Sequence, residues 1–357
     1  MRPNNFVGLF ALGVAQALAQ SLLTVLQDNG FSGYAELLEG DPILSAGPGL
    51  IIYAPTNAAL TAAGNSLSDG VRAILKNDAS NSFGAVRNTA PTFVDPAVYP
   101  DNGDAGSADA PPGAVRETLL NDPAFVNLGS GHNQSLVEKN VPSAARPTVH
   151  GGLGTTVGVA GDDIPFDSGV VRPIDGVLTL PSTLSATLPL IDANAFAAAL
   201  QKAGLTMELD NRPSITVLAP NDAAWEAAGD LPDDEVAQLC KEHVIVDFPG
   251  YTPLLKNGGT YRTLGQTNVT ISVQGDEVTI GGAKIVKGDA IIINGVVHTV
   301  DKLMTASANS GSDSDSDSGT GSGTATGAGS GSAKPLPWQA LLVSFVGMVV
   351  AAQGMLL

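Results

Sequence analysis

The feature that most constrains this sequence is a short stretch that occurs twice. Ile51 to Leu60 reads IIYAPTNAAL, and Thr216 to Trp225 reads TVLAPNDAAW. Each is an apolar run followed by Ala-Pro, two small polar residues, two alanines and a large apolar residue. Such internal repetition indicates two copies of one structural unit, and a chain of 357 residues is long enough to build a core for each. We call these stretches the opening boxes.

A second repeated stretch, the closing box, follows each opening box. Asp167 to Leu178 reads DSGVVRPIDGVL, and Ile293 to Leu303 reads INGVVHTVDKL. The two boxes lie farther apart in the first copy than in the second. The stretch near residues 79–114, rich in Asn, Pro, Asp, Gly and Ala, accounts for the difference and is predicted to be a long surface loop.

The opening boxes predict a strand that turns into a helix. The apolar run stops at Pro55 or Pro220, and Asn57 or Asp222 is predicted to cap the helix that follows, over 58–63 or 223–228. This interpretation gives the small polar residues a structural task in the backbone.

Each copy begins with helical patterns and ends with short strands. Apolar residues recur at helical spacing in 22–38 and 188–205. The pattern predicts strands in the following segments: 125–128, 148–159, 170–178, 267–273, 277–280, 283–286, 290–293 and 296–300. Helices early and alternating strands late predict an α+β fold with antiparallel sheets.

Both ends of the chain predict passage through the secretory pathway. Residues 1–19 combine Arg2, an apolar stretch and a small-x-small cleavage site, which is typical of a signal peptide. Residues 306–332 are almost entirely Ser, Gly, Asp, Thr and Ala, a composition that predicts a disordered stalk. Residues 333–357 end in an apolar tail that no basic residue follows, as in a signal for a glycolipid (GPI) anchor. The alternative is a tail-anchored helix. The candidate attachment residues are Gly327, Ala328, Gly329 and Ser330.

Charge, cysteine content and sequons restrict the partners. The net charge is -18, which argues against binding to a nucleic acid. The single Cys240 cannot form an internal disulfide and is interpreted as a small buried hydrophobe. Asn133 and Asn268 begin N-glycosylation sequons.

No pattern in the sequence predicts catalysis, a metal or a cofactor. The four histidines form no pair at helical spacing, and no nucleophile elbow is present. The acidic run at 313–317 fails as a calcium loop because Ser318 stands where glycine is required. The paired acids 162–163 and 233–234 are interpreted as turn and helix-start residues.

These boxes resemble those of the fasciclin-like domain family. The family-motif positions in this sequence are Ala54, Pro55, Thr56, Asn57, Ala219, Pro220, Asn221, Asp222, Asn294, Gly295, His298 and Asp301. The first closing box is degenerate, with Ser168 for the Asn and Arg172-Pro173 at the His position. The family has a central Tyr-His pair, which the resemblance connects with integrin binding in animal members. Here the pair is Glu242-His243. The missing tyrosine weakens the expectation that this chain binds such a receptor. We interpret His243 and His298 as structural.

The resemblance implies two tandem fasciclin-like domains, 20–181 and 184–305, each with helices packed with antiparallel sheets. It also implies a non-catalytic glycoprotein, fungal in type, anchored by GPI on the outer face of the plasma membrane or in the cell wall. Its partners would be wall or matrix proteins or glycans and a second copy of itself, with a role in adhesion or in organising the wall or matrix. The alternatives are a wall-remodelling carbohydrate-active enzyme and a module that binds a glycan or a small ligand.

Overall fold

The computed structural model describes residues 20–66, 78–87, 113–140, 145–229 and 231–304, without the side chains of 64–66, 78–79 and 233–234. The predicted signal peptide, most of the predicted loop, the stalk and the anchor signal lie outside the described residues. The helices are α1 (Leu22–Asp28), α2 (Ser32–Leu37), α3 (Asn57–Ser66), α4 (Asp78–Phe83), α5 (Leu184–Thr187), α6 (Asn194–Lys202), α7 (Thr206–Asn211), α8 (Asp222–Ala228) and α9 (Asp233–Glu242). Short 3-10 turns lie at Pro42–Ser45, Leu188–Ile191 and Thr252–Leu254.

Short strands make up most of the remainder. They are β1 (Leu50–Pro55), β2 (Ala85–Arg87), β3 (Gly113–Glu117), β4 (Ser135–Lys139), β5 (Thr148–His150), β6 (Thr156–Gly158), β7 (Ile164–Phe166), β8 (Gly169–Ile174), β9 (Ile215–Pro220), β10 (Val244–Ile245), β11 (Thr260–Arg262), β12 (Asn268–Gln274), β13 (Glu277–Ile280), β14 (Ala283–Ile292) and β15 (Gly295–Val300). They form three sheets with the orders β2-β1-β8-β7, β3-β4-β5-β6 and β10-β9-β15-β14-β13-β12-β11. Helices and sheets are thus mixed, as the sequence predicts.

The two boxes of each copy lie side by side as one pair of strands. In the first copy β1 runs parallel to β8, with Leu50 opposite Gly169 and Pro55 opposite Ile174. In the second copy β9 runs parallel to β15, with Ile215 opposite Gly295 and Pro220 opposite Val300. An antiparallel neighbour, β2 or β10, lies on the other side of each opening strand.

The prediction of purely antiparallel sheets is therefore wrong, because both box pairs are parallel. A parallel pair requires a long connection that carries the chain back to the starting end of the sheet. Here the helices and hairpins between the boxes serve as that connection. The other pairs of the strands named above, including the meander from β11 to β14, are antiparallel.

The first copy differs from its predicted elements in two places. The predicted strand at 125–128 is a turn followed by irregular chain, whereas β3 and β4 were not predicted. The loop expected near 79–114 contains α4 and β2 at its start, and Phe83, Ala85 and Val86 are fully buried there. The local composition gives no sign of β2, because its burial depends on pairing with β1.

Each opening strand lies at the centre of a hydrophobic core. Ile52 and Val171 share one core cluster with Leu26 of α1 and with Phe31, the residue before α2. In the second copy the corresponding core contains buried residues of the 3-10 turn, α6, α9, β9 and β15, namely Leu188, Phe196, Leu200, Val217, Cys240 and Val297. The described residues between 20 and 304 belong to one compact unit, which contains both copies.

Candidate functional site: the repeated corner and its polar contacts

In the first copy, the polar residues of the opening box fix the start of a helix. The Oγ1 atom of Thr56 accepts a hydrogen bond from the Ala59 amide at 3.1 Å, which caps α3. The side chain of Asn57 accepts one from the Gly33 amide at 3.0 Å and donates one to the Ser32 hydroxyl at 3.1 Å. Asn57 therefore ties the start of α3 to α2.

The second copy repeats this arrangement with other side chains. The Asn221 side chain accepts from the Ala224 amide at 2.7 Å and caps α8. Asp222 accepts from the Ala195 amide and from the Asn194 side chain, both at 2.8 Å, and so ties α8 to α6. These hydrogen bonds, the one from Ala195 first, lower the pKa of Asp222.

The capping residue therefore precedes the predicted one in both copies. Asn57 and Asp222 are the predicted caps, but Thr56 and Asn221, which directly follow the proline, accept the capping hydrogen bond. Asn221 has an extended backbone, with φ -66° and ψ 166°. The next residue is then free to reach the preceding helix.

The glycine of each closing box allows the two box strands to approach closely. A Cβ atom on Gly169 would lie 2.0 Å from the Leu50 carbonyl oxygen, and one on Gly295 would lie 1.9 Å from that of Ile215. No side chain fits at such a distance. Ala54 and Ala219 on the opening strands are fully buried.

The aspartate near the end of each closing box, Asp175 or Asp301, is hydrogen-bonded to the neighbouring strand. The Asp301 carboxylate accepts from the Lys284 amide at 2.8 Å, and its own amide donates to the Lys284 carbonyl at 3.1 Å. Asp175 forms the same reciprocal pair with Gly158, at 2.6 and 3.0 Å. The two copies thus share this contact although their surrounding sequences differ.

The asparagine of the second closing box has no counterpart in the first. Buried Asn294 donates to the carbonyl oxygens of Leu209 and Arg212 at 2.7 and 2.6 Å, which holds the end of α7. In the first copy Ser168 stands there, and its carbonyl oxygen accepts from the Leu50 amide at 3.1 Å.

His298 lies in a buried polar cluster. Its Nδ1 accepts from the Asp289 amide at 3.1 Å, and its Nε2 lies 2.8 Å from the Gly250 carbonyl and donates to it. The Asp289 carboxylate accepts from the Thr252 amide at 2.8 Å and lies 2.5 Å from the Lys139 Nζ. Every group in this cluster is therefore held by a partner, as in a structural site.

Electrostatics in this cluster keep the carboxylate charged and the imidazoles neutral. Burial favours the neutral acid, but the Lys139 ammonium opposes it most strongly and holds the pKa of Asp289 well below its usual range. Burial lowers the pKa of His150 to about 4, against the opposing attraction of Asp289. Burial likewise lowers the pKa of His298.

In the first copy an arginine network replaces the histidine cluster. Arg172 pairs with Glu138 at 2.6 Å and with both oxygens of Asp163 at 2.7 and 2.6 Å. The Tyr53 hydroxyl donates to the same Glu138 oxygen at 2.6 Å, and Arg116 lies 3.4 Å from it. The degenerate closing box therefore keeps a satisfied polar cluster of different chemistry.

His243 fixes the end of the second copy. Its Nδ1 donates to the Leu239 carbonyl at 2.9 Å, and its Nε2 accepts from the Met304 amide at 3.0 Å. The side chain is fully buried, and burial lowers its pKa to about 4. The ring also packs near Phe196, with centroids 5.9 Å apart.

Within the described ranges, no group of three or more His, Cys, Asp or Glu residues could hold a metal ion. Asp162 and Asp163 are engaged by Arg146 and Arg172. The Cys240 thiol is buried, and burial raises its pKa to about 12. Both aspartates are thus paired with arginines, and the thiol is enclosed in the core.

The two sequons differ in accessibility. Asn268 and Thr270 are exposed on β12. Asn133 is half-buried and donates to the Thr118 carbonyl at 3.0 Å, and the hydroxyl-bearing Ser135 of its sequon is fully buried. The candidate anchor residues 327–330 lie outside the described residues.

The sequence does not indicate that two large apolar side chains are exposed on the second copy. Leu190 is 62% exposed and Met207 is 79% exposed. Met207 lies at a groove between α6 and α7 whose lining also includes Pro189 and Ala197. Helical spacing alone could not identify it, because Met207 is an apolar residue two positions before Leu209, which faces the core in the same helix. The part of the chain that the structure describes contains no helix long and apolar enough to cross a membrane.

In the second copy the two boxes form one strand pair of an α+β unit, and a known family model matches this segment. The model of the Fasciclin domain matches residues 192–306. The resemblance inferred from the boxes is confirmed for the second copy. The assignment of the first copy stays a prediction.

Known proteins similar to this chain include fungal and animal ones. A fasciclin-like arabinogalactan protein from Phaeosphaeria nodorum is 28% identical over 199 residues, which are 54% of this chain and 62% of that protein. Human periostin is 28% identical over 149 residues, 38% of this chain and 18% of that protein. A fungal origin fits the first similarity and those to Arthroderma benhamiae and Cercospora beticola proteins.

The overlap with these relatives is partial. The chain spans 62%, 44% and 51% of the lengths of the three fungal proteins. Among solved structures, the FAS1 domain pair of the insect cell adhesion molecule Fasciclin I matches 78% of this chain and 98% of its own, with 14% identity and a TM-score of 0.36. The fold assignment here rests on the family match and on the strand topology.

Proposed function

We propose that this protein is a non-catalytic cell-surface glycoprotein with two fasciclin-like domains, which mediates adhesion or organises the cell wall or matrix. The observation that carries the proposal is the Fasciclin-domain match over 192–306 together with the fungal fasciclin-like arabinogalactan relatives. The equivalent strand pairs β1–β8 and β9–β15 support a second, divergent domain of the same type.

The proposed location is the outer face of the plasma membrane or the wall, by a glycolipid anchor attached within 327–330. A GPI-specific phospholipase should release the protein from intact membranes, and replacing the small residues of 327–330 by bulky ones should prevent attachment. Retention on the membrane after phospholipase treatment would contradict the anchor.

Adhesion is tested by binding of the released protein to intact cells, wall fractions and a glycan array. We expect the exposed surface around Met207 to contribute, because exposed apolar side chains beside a groove are typical of contact sites. The double variant Leu190→Asp, Met207→Asp should weaken binding about tenfold. Val286→Asp, also at an exposed apolar residue (47%), is the control and should bind normally.

The second candidate function is a module that binds a glycan or a small ligand, which the groove between α6 and α7 favours. Saturable binding of a defined oligosaccharide or small molecule without attachment to cells would support this function over adhesion. Turnover of wall polysaccharides, abolished by replacing one specific Asp or Glu, would instead support an enzyme.

A further inference from the structure

The second copy leaves part of one strand edge without a partner from its own sheet. Strand β14 pairs with β15 from Ala290 to Ile292, but on its other side β13 reaches only Ala283 and Lys284. Backbone groups near Ile291 therefore need hydrogen bonds from elsewhere, since bare strand edges are costly when buried.

The first copy and the linker after it supply these hydrogen bonds. The Ile291 amide donates to the Gly151 carbonyl at 3.2 Å, and the Ile293 amide donates to the Ser182 carbonyl at 3.0 Å. The Asn127 amide donates to the Ile293 carbonyl at 2.7 Å. The edge of the second sheet is thus completed by residues outside the second copy.

Buried side chains reinforce the same junction. The Gln134 amide donates to the Ile292 carbonyl at 3.2 Å and to the Phe125 carbonyl at 3.0 Å, so one side chain joins both copies. A Cβ atom on Gly154 would lie 2.5 Å from the Ile191 Cγ2, which shows how closely the copies pack.

The junction also contains an ion pair whose partners come from different copies. Lys139 Nζ on β4 lies 2.5 Å from Asp289 Oδ2 on β14, and the Asp289 side chain is fully buried. A buried carboxylate without its counterion is strongly destabilising. The second copy therefore depends on a charge that the first copy provides.

We propose that the first copy is the strand-edge partner of the second and that the two copies unfold as one cooperative unit. The partner surface comprises Asn127, Gln134, Lys139 and Gly151 with linker residue Ser182, and it fits the β14 edge from Asp289 to Ile293. The two copies should therefore lose their structure in a single unfolding transition.

The test uses the full chain with Trp338→Phe, which leaves Trp225 in the second copy as the single tryptophan. Ile52→Ala removes buried atoms from the core of the first copy. We expect the urea midpoint read by Trp225 fluorescence to fall, on the order of 1 M, together with the midpoint read by circular dichroism. An unchanged Trp225 midpoint with a biphasic dichroism curve would overturn the proposal.

A second set of variants tests the ion pair. Lys139→Met, a change in the first copy, should lower the Trp225 midpoint, and Asp289→Asn in the same chain should restore part of the loss. Lys284→Met breaks the exposed pair with Glu277 within the second copy and should change the midpoint little. Equal effects of Lys139→Met and Lys284→Met would overturn the role of the ion pair.

Discussion

Single glycines decide whether the box strands can pair. Gly169 and Gly295 occupy the same register position, opposite Leu50 and Ile215. The carbonyl oxygen of the partner strand lies where a Cβ atom would be. This conflict involves backbone atoms, which cannot move without breaking the parallel ladder.

Gly295→Ala should therefore destabilise the protein by roughly 2–3 kcal/mol, measured by urea unfolding. Gly169→Ala should have a similar effect for the same reason. Gly84→Ala is the matched control, because its Cβ atom would meet the Tyr53 carbonyl oxygen at 3.5 Å, an ordinary contact. A cost for Gly295→Ala no greater than that of the control would contradict the steric explanation.

Buried histidines make stability depend on pH. Burial lowers the pKa of His150 and of His243 to about 4, whereas an unfolded histidine titrates near about 6.5. As the pH falls, the unfolded chain takes up these protons first. Their contribution to stability is complete above about pH 6.5 and is lost as the pH falls toward about 4.

We expect the free energy of unfolding to fall across this window, on the order of 3 kcal/mol for each of the two histidines. Urea midpoints measured at several pH values check it. His243→Gln should have a shallower dependence, because glutamine does not titrate. A midpoint that stays constant from pH 6.5 to 4 would show the reasoning to be wrong.

At the scale of elements, a side chain just after the proline starts each box helix. Thr56 and Asn221 cap α3 and α8, while Asn57 and Asp222 reach the preceding helix. Two neighbouring polar residues thus perform separate tasks, although either residue type is a suitable cap.

Asn221→Ala should cost about 1 kcal/mol of stability, the usual value of a lost cap. Asn221→Thr, which introduces the residue of the first copy, should keep most of it. Urea unfolding of the two variants provides the comparison. If the alanine and threonine variants were equally stable, Asn221 would not be the cap.

The sequons lie on different kinds of surface, which predicts different glycosylation. Asn268 and Thr270 are exposed, whereas Asn133 donates to the Thr118 carbonyl beside buried Ser135. We expect Asn268→Gln to remove a glycan and raise electrophoretic mobility, and Asn133→Gln to leave mobility unchanged. Loss of a glycan in Asn133→Gln would contradict this prediction.

The elements that the sequence predicts well are those with strong local signals. The opening strands end at a proline, and Asn294-Gly295 marks the turn before β15, so their bounds follow from the residues. The direction in which β1 pairs with β8 has no local signal, because it depends on the path of the whole intervening chain. The segment from Phe125 to Leu128 shows the opposite case: its apolar pattern predicts a strand, but the chain there forms a turn and irregular structure.

At the scale of the whole molecule, the predicted and observed sites differ most at the junction of the copies. The box residues were identifiable because they recur in the sequence. Lys139 and Asp289 do not recur, and only the packing of β4 near β14 brings them within 2.5 Å. Such an ion pair cannot be predicted from a single sequence, because nothing in the residues around Lys139 or Asp289 indicates which residue will be its partner.

The covered edge of β14 bears on how this chain can be cut and recombined. A gene segment that encodes 184–305 alone would produce a sheet with unpaired N–H and C=O groups near Ile291. Such an edge pairs with strands of other chains, which leads to aggregation. A segment that is transferred into another protein should therefore include both copies, unless the new protein supplies another partner for the β14 edge.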